Sequence, residues 1–419
     1  FQVTVEALDH GRKPLGEVKF EFRRKLPFEG IMLPQRLKYI DSGLRCAEFM
    51  METLSGTRAE LREYAVKPGG ERGWPGLFYS AQIRLLVAYA KHSPSEKAGE
   101  AQRHARTFTD WLVERTSPSH WVWPHCPPTQ GISHIKAFAG GLQPSRLGLL
   151  GEAFLDFLEV KKDKRLLDAT MKMADTLKAR QLPEGRWPFR VNAETGKIIS
   201  DYTSDQIEII MFLERLIEDY GRRDLQKTVD GAVQWTLENP CRDYLWQGQY
   251  DDMGGFAPYE GLEWYDTGFF ILYLLRHAEE TDGYLQIAGE LMRYIDDQFI
   301  EWGLSREYVT PSAREQYNCY QFVDYSVAHY IRICIGFHRT TSDDTYLKKA
   351  QVMANTLTNL QHPDGWFACQ HATHTAQAGE PGILGEVQFR AEFGINFLPN
   401  CSAYAAEMLI RLDDYLAQV

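Results

Sequence analysis

Two distant segments of the chain follow one plan. "LLDATMKMADTLKARQLPEGRWPFR" (166–190) and "YLKKAQVMANTLTNLQHPDGWFACQ" (346–370) share Ala, Met, Ala-(Asp/Asn)-Thr-Leu, a Gln, Pro-(Glu/Asp)-Gly and a Trp. Leu167, Met171, Ala174 and Leu177 fall at helical spacing, as do Leu347, Ala350, Ala354 and Leu357. Each helix ends in a turn, because Pro cannot continue a helix and Gly accepts the left-handed conformation. Four looser copies begin near Tyr39, Gly99, Asp224 and Tyr284, a period of roughly 60 residues that exceeds common solenoid repeats.

Behind each amphipathic helix come a loop and a second, more apolar helix. These second helices are expected to start near Gly76, Pro144, Thr203, Tyr265, Val323 and Ser402. In "DQIEIIMFLERLIEDYG" and "DTGFFILYLLRHAEE" apolar residues cover most of the circumference, and a helix apolar on nearly all sides is buried. Six buried helices ringed by six polar-faced ones make an all-α (α/α)6 toroid over residues 36–419. Residues 1–35 differ: "FQVTVEALD" and "GEVKFEF" alternate in strand fashion around "HGRKPL", so a short β-hairpin-like segment is expected there.

Short connections make consecutive helices antiparallel. All outer-to-inner loops then share one face of the ring. The return connections, such as "DYGRRD" and "HRTTSDD", are short, polar turns. The outer-to-inner loops, such as "LWQGQYDDMGGFAPYEGLEWYD" and "SREYVTPSAREQYNCYQFVDYS", are long and rich in Trp, Tyr, Asp and Arg. Long loops in compact domains are usually functional.

Several chemistries are disfavoured. The net charge is -11 and Lys and Arg form no stripe, which argues against nucleic acid. No stretch reaches the roughly 20 apolar residues of a membrane span. Seven Cys are scattered with no CxxC pair, so neither a zinc site nor a disulfide framework is expected. His371 and His374 in "HATHT" lack the Glu of a zincin motif. There is no nucleophile elbow, phosphate loop or dinucleotide fingerprint, so no metal or other cofactor is expected. Nothing near Phe1 resembles a leader, and export is not legible; a bacterial protein of periplasm or cytoplasm is compatible.

Rings beside acids suit a carbohydrate, whose C–H faces stack on aromatics while its hydroxyls seek charged and polar partners. The stacking candidates include Trp187, Trp246, Trp264 and Trp366, although aromatics also seal loops onto a core. Asp205, Asp266 and Asp324 lie at corresponding points in "YTSDQ", "WYDTG" and "FVDYS", at the first turns of inner helices. Such acids cap helices well, yet these termini converge on the cavity of the ring. Asp251, Asp252 and Glu315 precede them. Glycoside hydrolysis uses two carboxyls, one protonated and one ionised. Arg190 and Arg314 suit a uronate carboxylate; an ion pair with a loop acid is the equal alternative for Arg314.

The chain resembles the six-hairpin glycosidase superfamily over about residues 36–419. The resemblance is carried by the alternating helix pairs, by "EGRWPFR" and "DGWFACQ", and by "EQYNCYQFVDYS" and "WQGQYDD…PYEGLEWYDTG". It looks most like toroidal β-glucuronidases and unsaturated glucuronyl hydrolases. The resemblance implies a monomeric or dimeric, cofactor-free hydrolase. In the latter enzymes a cavity Asp protonates the double bond and helps deliver water, a part open here to Asp252, Asp266 and Asp324. Hence a glucuronate-type substrate is expected, with catalytic carboxylates among Asp252, Asp266, Asp324 and Asp205. Trp187, Arg190, Trp246, Tyr250, Trp264, Arg314, Tyr317, Tyr320, Trp366 and His371 are the expected binding residues. Polysaccharide lyases share the ring and use a Tyr or His base, for which Tyr250, Tyr317, Tyr320, Tyr325, His371 and His374 qualify. Sugar 2-epimerases and non-catalytic glycan-binding toroids complete the alternatives.

Overall fold

The computed structural model describes residues 2–8, 11, 13–21, 26–55, 74–130, 141–203, 206–247, 259, 262–303, 311–315, 322–371 and 398–419. The chain opens with β1 (Gln2–Leu8) and β2 (Pro14–Glu21), which pair antiparallel. The outer helices are α1 (Tyr39–Ser55), α3 (Ser95–Glu114), α5 (Lys164–Arg180), α7 (Gln226–Glu238), α10 (Tyr284–Phe299) and α12 (Asp344–Leu360). The inner helices are α2 (Pro75–His92), α4 (Pro144–Val160), α6 (Ile207–Tyr220), α9 (Tyr265–Arg276), α11 (Asp324–Thr341) and α13 (Pro399–Leu416). A single helical turn, α8 (Pro240–Asp243), follows α7.

Packing closes the ring. α2 lies on α4, α4 on α6, α6 on α9, α9 on α11, α11 on α13 and α13 back on α2. Each outer helix packs on the inner helix before it, and α1 packs on α13 to join the two ends. Burial follows the sequence pattern. α3 buries only Ala101, Ala105, Phe108, Thr109 and Leu112, whereas α2 buries residues almost continuously from Pro75 to Val87. Three starts differ from the sequence expectation. α3 begins at Ser95, directly after Pro94. α13 begins at Pro399, a residue suited to a first turn. α6 begins only at Ile207, because the Thr203 hydroxyl donates to the Leu245 carbonyl and holds that residue in the loop layer.

The recurring Gln–Pro-acid-Gly–Trp motif is scaffold. Gln181 Nε2 donates to the carbonyls of Gly185 and Thr228, both at 2.7 Å. Gln361 Nε2 repeats this toward Gly365 (2.7 Å) and Ser42 (2.8 Å). Each turn thereby rivets one outer helix to the next. Gly185 and Gly365 have φ of 104° and 111°. A Cβ on Gly185 would stand 2.3 Å from the Gly231 carbonyl oxygen. Gly185→Ala is therefore expected to cost about 2–3 kcal/mol, from strain and backbone overlap together. Urea unfolding measures it; a loss under about 0.5 kcal/mol would contradict this account of the turn.

The outer-to-inner loops are stitched to one another around a single face. β3 (Gly141–Leu142) pairs with β4 (Arg190–Asn192), which pairs with β5 (Ile198–Ser200). Trp123 N–H donates to Ala193 at 2.9 Å. β6 (Ile300–Glu301) pairs with β7 (Ser312–Ala313), and β8 (Phe322–Val323) with β9 (Gln370–His371). The segment after β2 lies along α12. Asn355 Nδ2 donates to the Leu33 carbonyl (2.8 Å) and Asn359 Nδ2 to that of Pro34 (2.7 Å). Phe28 packs edge-on against Trp302 with centroids 4.7 Å apart.

Candidate functional site

All inner helices start on the stitched face, so their positive ends point the same way. Their first turns carry a set of buried polar residues: Arg146 on α4, Glu208 on α6, Asp266 on α9, Asp324 on α11 and Asn400 on α13. Asp266 and Asp324 are 0% exposed and Glu208 is 1% exposed. Buried ionisable groups are costly unless partnered, so their gathering at one end of the ring calls for a reason.

Capping is not that reason for Asp266. The carboxylate of Glu263 accepts from the backbone N–H groups of Tyr265 and Asp266, the latter at 3.4 Å. Glu263 thus serves the N–H groups of the first turn of α9 that have no partner within the helix. The Asp266 side chain is left to face its neighbour, Glu208.

The carboxyl of Glu208 lies within hydrogen-bonding reach of that of Asp266. Arg146 Nη1 stands 3.7 Å from Glu208 Oε1, too long for a hydrogen bond. Burial raises the Glu208 carboxyl above its ordinary value, and the pull of Arg146 and Asp266 in the other direction does not cancel it. A proton shared between the two carboxyls follows. The backbone sets this geometry. α4 and α6 touch at Gly148, where a Cβ would come within 2.3 Å of the Glu208 carbonyl carbon.

An aromatic cluster lies beside the pair. Tyr265 stacks on Tyr325 at 5.2 Å, and Tyr325 packs on Tyr404 at 4.6 Å. Burial, then the Glu208 charge, push the Tyr265 phenol well above its ordinary value, so it stays protonated. His329 closes the cluster. Its Nε2 lies 2.9 Å from the Tyr265 carbonyl oxygen and its Nδ1 3.1 Å from Tyr404 Oη. The carbonyl can only accept, which places the proton on Nε2 and lets Nδ1 accept from Tyr404. Burial, aided by Arg332, pushes the imidazole down to about 3. His329 is a neutral strut.

The sequence-expected residues divide into three groups. Asp266 and Asp324 are in the ring of first turns. α6 starts at Ile207, and Glu208 takes the second helical position that Asp266 holds on α9. Asp205, Asp251, Asp252, Tyr250, Tyr317, Tyr320 and His374 lie outside the described residues, as does the side chain of His371. Three indoles are sealed. Trp187 is 3% exposed and donates Nε1–H to the Leu177 carbonyl at 2.8 Å. Trp264 is 1% exposed and donates to the Arg314 carbonyl at 2.7 Å. Trp246 is fully buried against Phe270. None of these three offers an open face to a sugar; they anchor loops to the ring, as large aromatics do. Trp366 is half-buried with one face covered by His362, 4.4 Å away. Arg190 is buried, its guanidinium 5.2 Å from the Phe189 ring. Arg314 pairs with Glu301 at 3.3 Å, the loop ion pair weighed as its alternative.

Arg146 and Glu208 were missed by the sequence reading. Each is a lone charge in an apolar run, "PSRLGLLG" and "QIEIIMFL". A lone charge in the first turn of an otherwise apolar helix was the available signal. Among the described residues no cluster of His, Cys, Asp and Glu has the form of a metal site. No described helix is long and apolar enough to cross a membrane.

No family model matches the chain, and no curated protein matches it. Solved structures do resemble it. A GH76 α-mannanase from Bacteroides thetaiotaomicron is 15% identical, with a TM-score of 0.59, covering 90% of this chain and 99% of its own. An unsaturated glucuronyl hydrolase specific for heparin is 12% identical, with a TM-score of 0.57 and coverage of 90% and 98%. Cellobiose 2-epimerase from Spirochaeta thermophila is 10% identical, with a TM-score of 0.57 and coverage of 92% and 100%. At such identities the likeness establishes the (α/α)6 toroid.

Proposed function

We propose that the chain is a carbohydrate-active enzyme, a glycoside hydrolase that removes a glucuronate-type sugar from an oligosaccharide. The observation that carries this reading is the Glu208–Asp266 carboxyl pair beside Arg146. Glycoside hydrolysis needs one carboxyl that keeps its proton and one that has lost it. Burial favours the protonated form of Glu208, and crowding two acids lets one stay neutral while the other ionises. Glu208 then donates its proton to the glycosidic oxygen as that bond to C1 breaks. Asp324, the third buried acid of the first turns, takes a proton from the water that adds to C1, since carboxyls in direct contact stand closer than the roughly 5 Å or more that separates the acid from its partner in this reaction. Exchange with solvent returns the proton to Glu208, and the net reaction consumes one water. Arg146 and the helix N-termini favour an anionic substrate group such as a uronate carboxylate. Asp252 remains a proposed participant, with Asp205 a lesser one.

Tyr265, the tyrosine beside the carboxyl pair, is held protonated and is a poor base for a lyase. The reactions separate in one assay. Incubation with an aryl β-glucuronide and with an unsaturated glucuronyl disaccharide is expected to release a reducing end. Growth of ultraviolet absorbance from a new double bond would indicate a lyase instead. Isomerised sugar with no reducing end gained would indicate an epimerase. Either of these results, or affinity without turnover, would overturn the hydrolase reading.

A further inference from the structure

Cys369 and Cys401 are well separated in the chain and meet in the fold. Cys369 lies at the root of the last outer-to-inner loop, and Cys401 lies in the first turn of α13. Ser402 sets the meeting. Its hydroxyl accepts from the Phe367 N–H at 3.0 Å and donates to the Phe367 carbonyl at 2.5 Å. On the other side, β9 starts at Gln370 and is fixed by its pairing with β8. Cys369 is thus held between two anchored neighbours, and its thiol lies within hydrogen-bonding reach of the Cys401 thiol. Both residues are buried, at 6% and 3% exposure. Other thiols are turned elsewhere: Cys46 Sγ donates to the Ser402 carbonyl at 3.5 Å, and Cys126 Sγ to that of Pro124 at 3.4 Å.

Thiols are weak hydrogen-bonding groups, so their contact does little for the fold as it stands. It does suit a covalent bond. A disulfide needs its two Cβ atoms about 3.5–4.5 Å apart, and thiols already in contact reach that geometry by side-chain rotation. The hydrogen bond to Cys401 and burial hold the Cys369 thiol well above its ordinary value. The thiolate is the attacking species, so oxidation is slow in the closed fold and faster while the chain folds or this loop root opens.

We propose that Cys369 and Cys401 form a disulfide site, which under oxidising conditions pins the root of the last outer-to-inner loop to α13. The oxidant is a small-molecule disulfide such as oxidised glutathione. One cysteine thiolate attacks it and displaces a glutathione thiolate. The second cysteine thiolate attacks the mixed disulfide and displaces the other. The protein loses two electrons and glutathione gains them, and the two thiol protons pass to the two glutathione thiolates. The bond closes a covalent ring through residues 370–400. It stands beside Asp324, whose charge reaches the Cys369 thiol, so it ties down backbone next to that acid. This inference does not depend on the hydrolase reading.

The whole chain is incubated with oxidised glutathione at about pH 8.5, where thiolates form, both folded and while refolding from urea. Free thiols are then alkylated, and unreduced peptides are mapped by mass spectrometry. A peptide pair linked through Cys369 and Cys401 is expected, formed faster in the refolding arm. The linked chain is expected to melt about 3 °C or more above the reduced chain. Cys369→Ser is expected to give neither the linked pair nor the melting difference. If that variant fails to fold, the wild type measured before and after reduction decides. Absence of the linked pair in both arms would overturn the proposal. So would a bond formed instead through Cys46 or Cys319, or a linked chain that melts no higher than the reduced one.

Discussion

Glu208→Gln is expected to lower kcat on a glucuronide by about 10²–10⁴-fold, the usual worth of a positioned general acid. The same variant is expected to melt no lower than the wild type at neutral pH. Burial is the main cause that raises the Glu208 carboxyl in the folded chain. The native state therefore binds a proton more tightly than the unfolded chain does. The stabilisation this gives is fully present below the ordinary value of 4.5 and is lost as pH rises through the raised folded value. Glutamine never carries that charge, so the melting advantage of the variant should grow as pH rises from about 4.5. Its amide can still donate to Asp266. Melting curves from pH 4 to 8 with parallel rate assays separate the roles. Loss of activity together with a lower melting temperature at every pH would make Glu208 a structural residue. Asp266→Asn is expected to match the activity loss, because the two carboxyls act as one unit.

Arg84→Met is expected to destabilise the fold by about 3–5 kcal/mol with no direct effect on the carboxyl pair. Arg84 of α2 contacts Glu407 of α13 at 3.2 Å and Asp156 of α4 at 3.3 Å. Arg215 of α6 extends the network to Asp156 (2.7 Å), Glu152 (3.4 Å) and Glu159 (2.9 Å). The network thus joins four consecutive inner helices around the ring. Glu407 is 0% exposed, so losing Arg84 strands a charge in a medium that solvates it poorly. Arg411 remains at 2.7 Å from Glu407, which places the loss at the lower end of that range. The added change Glu407→Leu should recover most of it, because a buried ion pair can be replaced by apolar packing at little cost. Absence of recovery in the double variant would contradict the pairing. Acid should mimic the damage. Burial raises the Asp156 carboxyl, but Arg84, Arg215 and Arg411 together hold it below its ordinary value. Its contribution is present above the ordinary value of 3.8 and is lost as pH falls through the depressed one.

The toroid was legible because its period is a packing requirement. A helix must bury one face or all faces, and six copies of each kind leave a pattern that survives wide variation. The most regular part of that pattern, Pro-acid-Gly-Trp, proved to be rivets between outer helices. Trp187, expected as a sugar platform, belongs to this motif and is buried, and repetition within one chain marks what every unit needs to pack. Chemistry lies where the copies differ. Glu208 appears on α6 where α4 has Arg146 and α13 has Asn400 at the mouth. Placing the start of α6 near Thr203 moved attention to Asp205 and hid Glu208 inside an apolar run. The capping role of Glu263 was not readable either, because which of several loop acids reaches the free N–H groups depends on the path of the backbone.

The most direct test is a crystal structure of Asp266→Asn with an unsaturated glucuronyl disaccharide. The central claim predicts the anomeric carbon beside Glu208 and residue 266, with reacting atoms about 3–3.5 Å apart, and the uronate carboxylate turned toward Arg146. A disaccharide held with both residues remote from its glycosidic bond would contradict it.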